Sequence, residues 1–233
     1  MEINTHTSQG YSNELATLKG KLILMGRLVE TQVAYALHAL MTQNHKHAAE
    51  VLVLDQKVNA LEVSLDSLCV DVIACRQPVA SDLRFLIVAI KIVTDLERIG
   101  DEAGKMARHV VGLSRKSGKG TFEGELDTEF RQLGEQVQTM LGDALDAFER
   151  LDVEQAKVVS LSDLAVDQEF ERLSRCLFLH MTEDSRNIRH GFNTMRHARS
   201  LERIGDHAKN LCEYVVYLVE GRDVRHTKFG VKV

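Results

Sequence analysis

Two acidic side chains stand four residues apart in a six-residue segment that this chain carries twice. Leu-Glu-Arg-Ile-Gly-Asp occupies residues 96–101 and recurs at residues 201–206. Positions i and i+4 of a helix lie on the same face, so each copy would hold a glutamate beside an aspartate. These pairs are Glu97 with Asp101 and Glu202 with Asp206. Because carboxylate oxygens are ligands of hard cations, each copy predicts half of a metal site.

A second pair of acids precedes the later copy. Asp163 and Asp167 are again four residues apart, and Asp55 and Asn59 hold the matching places in the first half. Antiparallel packing of neighbouring helices would bring Asp163 and Asp167 opposite the acids of residues 201–206. Four close carboxylates repel one another, and a bound cation relieves the repulsion. Oxygen ligands alone suit Mg²⁺, Mn²⁺ or iron rather than structural zinc. Since Asn59 is uncharged, we expect the first site to be weaker or differently occupied.

Other interpretations compete with metal binding. An acidic pair one turn apart is common on solvated helix faces, and Arg98 and Arg203 could pair with acids of adjacent helices. The repetition and the second acidic pair favour a metal. No glutamate is followed three residues later by histidine, which argues against a di-iron oxidase. His207 follows Asp206 and is either a peripheral ligand or, as we expect, solvated. His45 and His47, in a polar turn, are too few for a metal site.

The repetition extends beyond the hexapeptide and predicts a duplicated fold. Asp55 and Val58 match Asp163 and Val166 at a shift of 108 positions, whereas the hexapeptides match at a shift of 105. The three-residue loss falls at residues 77–79, where a turn is expected. The predicted organisation is a first repeat at residues 1–113, a glycine-rich linker at residues 114–124 and a second repeat at residues 125–233.

Apolar residues recur at steps of three and four along six stretches of the chain, which is typical of amphipathic helices. The first helix is expected to begin near Ser12 or Asn13, the second to end before Pro78 and the last to end at Gly221. Only one proline interrupts the 233 residues. Helices of roughly 25–35 residues, each about 40–50 Å long, are therefore expected. Short turns make them antiparallel, which predicts an all-α fold of two tandem pseudo-symmetric three-helix bundles.

The hexapeptide glycines, Gly100 and Gly205, stand between the apolar stripe and the acids. A glycine inside a helix costs about 1 kcal/mol relative to alanine. Its presence in both copies predicts a close approach by a neighbouring helix or a ligand.

Composition narrows the class of protein. The net charge is −5 with acids and bases intermixed, and no run of basic residues resembles a nucleic-acid-binding face. No stretch approaches 18 consecutive apolar residues, so no membrane span is expected. The four cysteines lie in apolar helical patterns without a Cys-x-x-Cys pair, and no signal peptide is recognised, which predicts reduced thiols packed in the core of a cytoplasmic protein.

Three motifs together resemble the PhoU family, the accessory regulators of bacterial phosphate-specific transport. They are RQPVASDLR at residues 76–84, the two hexapeptides, and YLVEGRDVRH at residues 217–226. The resemblance implies two three-helix bundles and metal clusters, often of iron or other divalent ions, held by paired acidic motifs. On this chain those motifs are Glu97 and Asp101 with Asp55 and Asn59, and Glu202 and Asp206 with Asp163 and Asp167.

The same resemblance implies a function. Members act as negative regulators of the phosphate-starvation (Pho) response, linking the ATPase subunit of the phosphate ABC transporter to the membrane sensor histidine kinase. They are commonly homodimers, are not regarded as enzymes and reach the membrane only through their partners. The sequence therefore predicts a cytosolic adaptor that signals phosphate sufficiency. The competing hypothesis is a metal-dependent phosphohydrolase or oxidase.

Overall fold

The computed structural model describes residues 5–112 and 125–224. It is built from helices, and it contains no strand in those two ranges. The elements are α1 (Thr5–Thr42), α2 (His45–Arg76), α3 (Ala80–Gly112), α4 (Glu125–Arg150), α5 (Val153–Glu183) and α6 (Ile188–Glu220), with a 3₁₀ turn at Ser185–Asn187. The predicted all-α architecture is confirmed. The predicted linker at residues 114–124 lies outside the described residues, and the domain boundaries stay a prediction.

Each bundle consists of three helices that all pack on one another. Helices α1, α2 and α3 form the first bundle, and α4, α5 and α6 form the second. Between the bundles, α3 packs on α6 and α1 packs on α4. The third helices of the two bundles thus pack on each other, and so do the first helices. A pseudo-twofold axis produces this arrangement. Among the described helices, none is long and apolar enough to cross a membrane.

Capping residues repeat along with the helices. Asn44 caps α2 by accepting hydrogen bonds from the backbone N–H groups of Lys46 and His47. Asp152, which lies 108 positions later, caps α5 by accepting from the backbone N–H of Gln155. Both side chains satisfy N–H groups that the first helical turn leaves unpaired. The two halves thus share the local signal that starts their second helix.

The prediction for the start of α1 was wrong, because the helix begins at Thr5 rather than near Ser12 or Asn13. Tyr11 packs against the hydrophobic core, and its hydroxyl donates to Asp82 Oδ2 of α3 at 3.0 Å. Tertiary contact thus stabilises a polar stretch whose helical propensity is weak.

The interface between α1 and α4 is built on two glycines. A Cβ atom added to Gly26 would lie 2.6 Å from Leu145 Cδ2, and one added to Gly134 would lie 2.8 Å from Leu37 Cδ2. Both the glycines and the leucines are related by a shift of 108. Each leucine therefore fills the place of a missing side chain on the facing helix, once in each direction.

The interface between α3 and α6 is polar at its centre and equally reciprocal. His207 Nδ1 lies 2.8 Å from Asp95 Oδ1, and the Ser200 hydroxyl donates to Glu102 Oε2 at 2.9 Å. At a shift of 105, Asp95 corresponds to Ser200 and Glu102 corresponds to His207. The repeat position of Asp95 and Ser200 thus contacts the repeat position of Glu102 and His207 twice, once in each direction across the interface. All four residues are buried.

Candidate functional site

The acids of the second half come together between α5 and α6. We call Asp163, Asp167, Glu202 and Asp206 the second acidic edge. Burial raises the pKa of Asp206, and the negative charge of Asp163 raises it further. Burial also raises the pKa of Glu202, and Asp206 adds to that rise. The pKa of Asp167 is raised in the same way, by burial and then by Asp163. The four carboxylates are therefore close enough to repel one another across two helices.

Cationic side chains relieve part of this repulsion, but not all of it. The Lys209 ammonium pairs with Asp163, whose side chain is only 3% exposed. Arg199 Nη1 lies 2.7 Å from Glu202 Oε1. The second oxygen of that carboxylate, Oε2, is buried and has no hydrogen-bond partner. A buried carboxylate oxygen without a donor is costly, and it marks the place where a cation fits best in this edge.

The acids of the first half face one another between α2 and α3. Asp55 on α2 accepts a hydrogen bond from Gln32 Nε2 at 3.1 Å and lies 3.8 Å from Arg108 Nη1. Burial raises the pKa of Asp55, Gln32 and Arg108 oppose the rise, and Asp101 adds to it. Glu97 has a raised pKa from burial and from Asp101. Asn59, the uncharged member of the predicted set, is exposed on α2.

The prediction missed Glu62. Its pKa is raised by burial, then by Asp66 and Asp101, and its charge in turn raises the pKa of Glu97. The residue in the matching place of the second half is Phe170. We call Asp55, Glu62, Glu97 and Asp101 the first acidic edge. Glu62 stands seven residues after Asp55, two turns along one face of α2, and a search at that spacing would have found it.

The glycines of the hexapeptides lie where neighbouring helices come close, as predicted. A Cβ added to Gly100 would lie 3.0 Å from Gln32 Oε1, and one added to Gly205 would lie 3.3 Å from Val166 Cγ1. Gln32 is fully buried, and its Oε1 has no hydrogen-bond partner. The matching residue in the second half is Met140, whose sulfur lies 3.9 Å from the added Cβ of Gly205. An amide thus lies beside the first edge and a thioether beside the second.

The prediction that His207 is solvated was wrong. Its side chain is 11% exposed and pairs with Asp95 of α3. His207 follows Asp206 directly, so its side chain points about 100° further around α6. It therefore faces α3, whereas Asp206 lies in the second acidic edge. Arg203 on α6 pairs with Glu102 on α3, which is the alternative role that the sequence allowed for this arginine.

Both edges fit a hard cation by the chemistry of their donors, since the ligands are carboxylate oxygens. Within residues 5–112 and 125–224, no three His, Cys, Asp or Glu side chains are already arranged around one metal position. In the second edge, the Lys209 ammonium pairs with Oδ2 of Asp163. A cation that bound to this oxygen would have to displace Lys209.

Comparison with known proteins places the chain among phosphate-transport accessory proteins. The family model named PhoU domain matches residues 22–110 and again residues 130–215. The PhoU homolog of the Pseudomonas aeruginosa phosphate-specific transport system is 45% identical over 224 residues, covering 95% of this chain and 90% of that protein. The corresponding accessory protein PhoU of Escherichia coli K12 is 40% identical over 226 residues, covering 97% of this chain and 92% of that protein.

Solved structures agree with the sequence matches. The crystal structure of PhoU from Pseudomonas aeruginosa superposes with a TM-score of 0.83 at 43% identity, over 91% of this chain and 100% of that chain. The phosphate transport system regulatory protein PhoU from Streptococcus pneumoniae gives a TM-score of 0.80 at 28% identity, over 92% and 99% of the two chains.

Proposed function

The chain belongs to the PhoU family, and from that premise we propose that it is a regulatory adaptor of phosphate homeostasis. The proposed role is negative regulation of the Pho regulon, by coupling the phosphate ABC transporter to its sensor histidine kinase and modulating phosphate uptake. The observation that supports it most is identity of 40–45% over 95–97% of the chain to accessory proteins of phosphate-specific transport. The proposed partners are the transporter's ATPase subunit, the kinase and a second copy of the chain, all met in the cytoplasm.

A binding and a genetic experiment test the adaptor role together. Purified protein immobilised on resin should retain the transporter ATPase subunit and the cytoplasmic part of the kinase. The gene should also restore repression of a phosphate-starvation reporter, in high phosphate, to a strain that lacks its own PhoU. Failure of both the binding and the complementation would overturn the proposal.

No observation favours the enzyme alternative. The decisive assay is phosphate release from phosphomonoesters by metal-loaded protein. Turnover by the unmodified chain that disappears in Asp167→Ala would overturn the adaptor-only proposal. If the protein is only an adaptor, we expect no phosphate release from the unmodified chain or from the variant.

We further propose that the two acidic edges bind iron, Mn²⁺ or Mg²⁺, and that more than one ion can bind. The residues that would hold metal in the second half are Asp163, Asp167, Glu202 and Asp206. In the first half they are Asp55, Glu97 and Asp101, with Asn59 as a neutral ligand and Glu62 as an additional carboxylate. The orphaned Oε2 of Glu202 supports the second edge as the stronger site. A bound cation would remove the repulsion that raises the pKa of Asp206 and of Glu202.

Lys209 offers a direct test of the second edge, because its ammonium competes with the cation for Asp163. Lys209→Met keeps the length of the side chain and removes the charge, so it should raise the affinity for Mn²⁺. The double variant Glu202→Gln, Asp206→Asn should lower it. Lys46→Met removes one charge from a side chain that is 84% exposed and serves as the charge-matched control.

Titration calorimetry with Mn²⁺ and elemental analysis of protein purified without chelator provide the readouts. Metal content and affinity that stay unchanged in Glu202→Gln, Asp206→Asn would overturn the proposed ligands. The same measurement on Asn59→Asp asks whether a fifth carboxylate strengthens the first edge.

A further inference from the structure

Two histidines meet at the turn between α1 and α2, away from both acidic edges. His38 lies in the last two turns of α1, and His47 is the third residue of α2. Their Nδ1 atoms are 2.8 Å apart. The ring centroids are 4.5 Å apart, and the ring planes cross at 67°. The sequence places only His45 and His47 in this turn, because His38 stands nine residues before His47, inside α1.

Neighbouring groups hold both rings in position. The Tyr35 ring stacks on His47, with the centroids 4.9 Å apart and the planes within 5°. Asn44 fixes the backbone of His47 by accepting from its N–H at 3.1 Å. The Thr42 hydroxyl donates to the backbone carbonyl of His38 at 2.6 Å and lies 3.3 Å from its Nδ1. The pair is thus preorganised, which lowers the entropy cost of binding a ligand.

The separation of the two nitrogens fits adjacent ligands of one metal ion. Two nitrogens that each lie about 2.0 Å from a metal and subtend 90° are about 2.8 Å apart, whereas a tetrahedral angle separates them by about 3.3 Å. The hydrogen bond between the rings already holds the two nitrogens 2.8 Å apart, which is also the separation of neighbouring positions of a square-planar or octahedral ion. Imidazole ligands in a square-planar or tetragonal arrangement are typical of Cu²⁺ and Ni²⁺.

The second nitrogen of His47 has a carboxylate beside it. Glu50 Oε2 lies 3.9 Å from His47 Nε2. A ligating histidine usually donates its other ring N–H to a carboxylate, which keeps the lone pair on the nitrogen that meets the metal. At 3.9 Å Glu50 is too far away for a direct hydrogen bond, but its negative charge favours a proton on the nearer nitrogen, Nε2, and that tautomer leaves Nδ1 free to bind.

We propose that His38 and His47 form a binding site for one Cu²⁺ or Ni²⁺ ion, with both Nδ1 atoms as ligands and water in the remaining positions. Without metal, one neutral ring donates its Nδ1–H to the other. Metal binding replaces that hydrogen bond, and the donor ring changes to its Nε2–H tautomer. His38 is exposed and the His47 side chain is 28% exposed, so an ion reaches the pair without any opening of the bundle. The site differs from the acidic edges in ligand type and in the metals it selects.

Copper titration of the full chain, free of any affinity tag, tests this site. We expect one equivalent of Cu²⁺ to bind saturably, with two-nitrogen coupling in the electron paramagnetic resonance spectrum. His38→Gln and His47→Gln should each weaken binding by about tenfold or more, which corresponds to at least about 1.4 kcal/mol. His45→Gln is the matched control, since it removes a histidine from the same turn and leaves the pair intact. Excess Mg²⁺ should not displace the copper.

The Cu²⁺ affinities of the histidine variants decide the proposal. If His38→Gln and His47→Gln bind Cu²⁺ as tightly as the unmodified chain, or if His45→Gln is weakened equally, the proposal is overturned. Far-ultraviolet circular dichroism without metal checks that each variant is folded, and two independent ligand variants guard against the failure of one. Glu202→Gln, Asp206→Asn should retain the copper site, which distinguishes it from the proposed metal binding by the acidic edges.

Discussion

Asp95 is a buried acid that joins the two bundles through several hydrogen bonds. Its side chain on α3 lies 2.8 Å from His207 Nδ1 and accepts from the Tyr214 hydroxyl at 2.8 Å and from Asn210 at 3.4 Å, all on α6. Removing the Asp95 side chain takes a hydrogen-bond partner away from three side chains of α6 at once. A single side chain can therefore control how strongly α3 and α6 hold together.

We accordingly expect Asp95→Ala to lower the free energy of unfolding by about 3–5 kcal/mol, since each of the three lost hydrogen bonds contributes about 1–1.5 kcal/mol. Urea unfolding followed by circular dichroism measures the change. Asp71→Ala, at an exposed position of α2, is the control and should change stability by less than about 0.5 kcal/mol. A loss below about 1 kcal/mol for Asp95→Ala would mean that the network contributes little.

His197 makes stability depend on pH. Burial lowers its pKa to about 3, and the nearby His109 and Arg196 lower it further. In the unfolded chain the pKa of His197 is about 6.5. Between that pH and about pH 3, His197 is therefore protonated in the unfolded state but neutral in the folded state. The stabilising contribution is complete above pH 6.5 and is lost progressively as the pH falls towards 3.

We therefore expect His197→Gln to flatten the fall in unfolding free energy between pH 6.5 and pH 4, where one such group contributes up to about 1.4 kcal/mol per pH unit. Burial also lowers the pKa of His109 and of His190, so part of the slope remains. Urea midpoints measured at half-unit steps of pH provide the test. An identical slope in His197→Gln and the unmodified chain contradicts the expectation.

Residues repeated in the sequence were predictable, whereas residues that reach the edges from elsewhere were not. Glu202 and Asp206 could be placed with Asp163 and Asp167 because duplication fixes both spacing and helix order. Lys209 pairs with Asp163 through packing between α5 and α6, and Gln32 reaches Asp55 from a third helix. The spacing of residues along the sequence does not predict either contact, because both depend on how the helices are rotated about their axes when they pack.

At the scale of the element, α1 carries two glycines in different surroundings. A Cβ at Gly20 would meet no atom within 4 Å, whereas a Cβ at Gly26 would lie 2.6 Å from Leu145 Cδ2. Gly20→Ala should raise the free energy of unfolding by about 1 kcal/mol through helix propensity alone. Gly26→Ala receives the same gain but must displace Leu145, and overpacking costs about 1–3 kcal/mol. We therefore expect no stabilisation, or a loss, from Gly26→Ala.

Thermal or urea unfolding of the two glycine variants gives the comparison directly. Leu145→Ala provides the second control, since it removes the obstacle and should let Gly26→Ala recover its gain in the double variant. Equal stabilisation by Gly20→Ala and Gly26→Ala would show that α1 and α4 are not closely packed at this point.

Helix order and most helix ends followed from periodicity and capping, but the start of α1 and the exposure of Cys75 did not. Tyr11 extends α1 backwards by a contact with Asp82 that the sequence does not reveal. Cys75 continues the apolar pattern of α2 yet is exposed, because α1 covers only one side of the last turn of α2, where Arg76 pairs with Glu14. Cys69 and Cys212 are buried, as predicted. Apolar spacing indicates which face is covered, but not how far the covering helix extends.

Across the whole molecule, the pseudo-twofold arrangement connects the two acidic edges. Asp101 and Asp206 lie at the edges, and the residue after each one, Glu102 or His207, reaches the facing bundle. Because Glu102 pairs with Ser200 and His207 pairs with Asp95, each edge lies next to a contact between the bundles. Movement of α3 or α6 at one acidic edge would therefore change the α3–α6 interface, which lies next to both edges.

This connection predicts that the two bundles unfold together, and two native thiols can report it. Cys69 lies in α2 of the first bundle and Cys212 in α6 of the second, and both are buried. Burial raises the pKa of Cys69 to about 11 and that of Cys212 to about 12, so neither thiol reacts while its bundle is folded. Pulse labelling at increasing urea, with site-resolved mass spectrometry, should give one midpoint for both.

Cys75 is exposed and should react without urea, which verifies the reagent. Asp95→Ala weakens the contact between α3 and α6, so it should shift both midpoints to lower urea by the same amount if the bundles remain coupled. Separate midpoints for Cys69 and Cys212 in the unmodified chain would show that the halves fold as independent domains. In that case the shared interface could not transmit a change from one acidic edge to the other, and each edge would have to act within its own bundle.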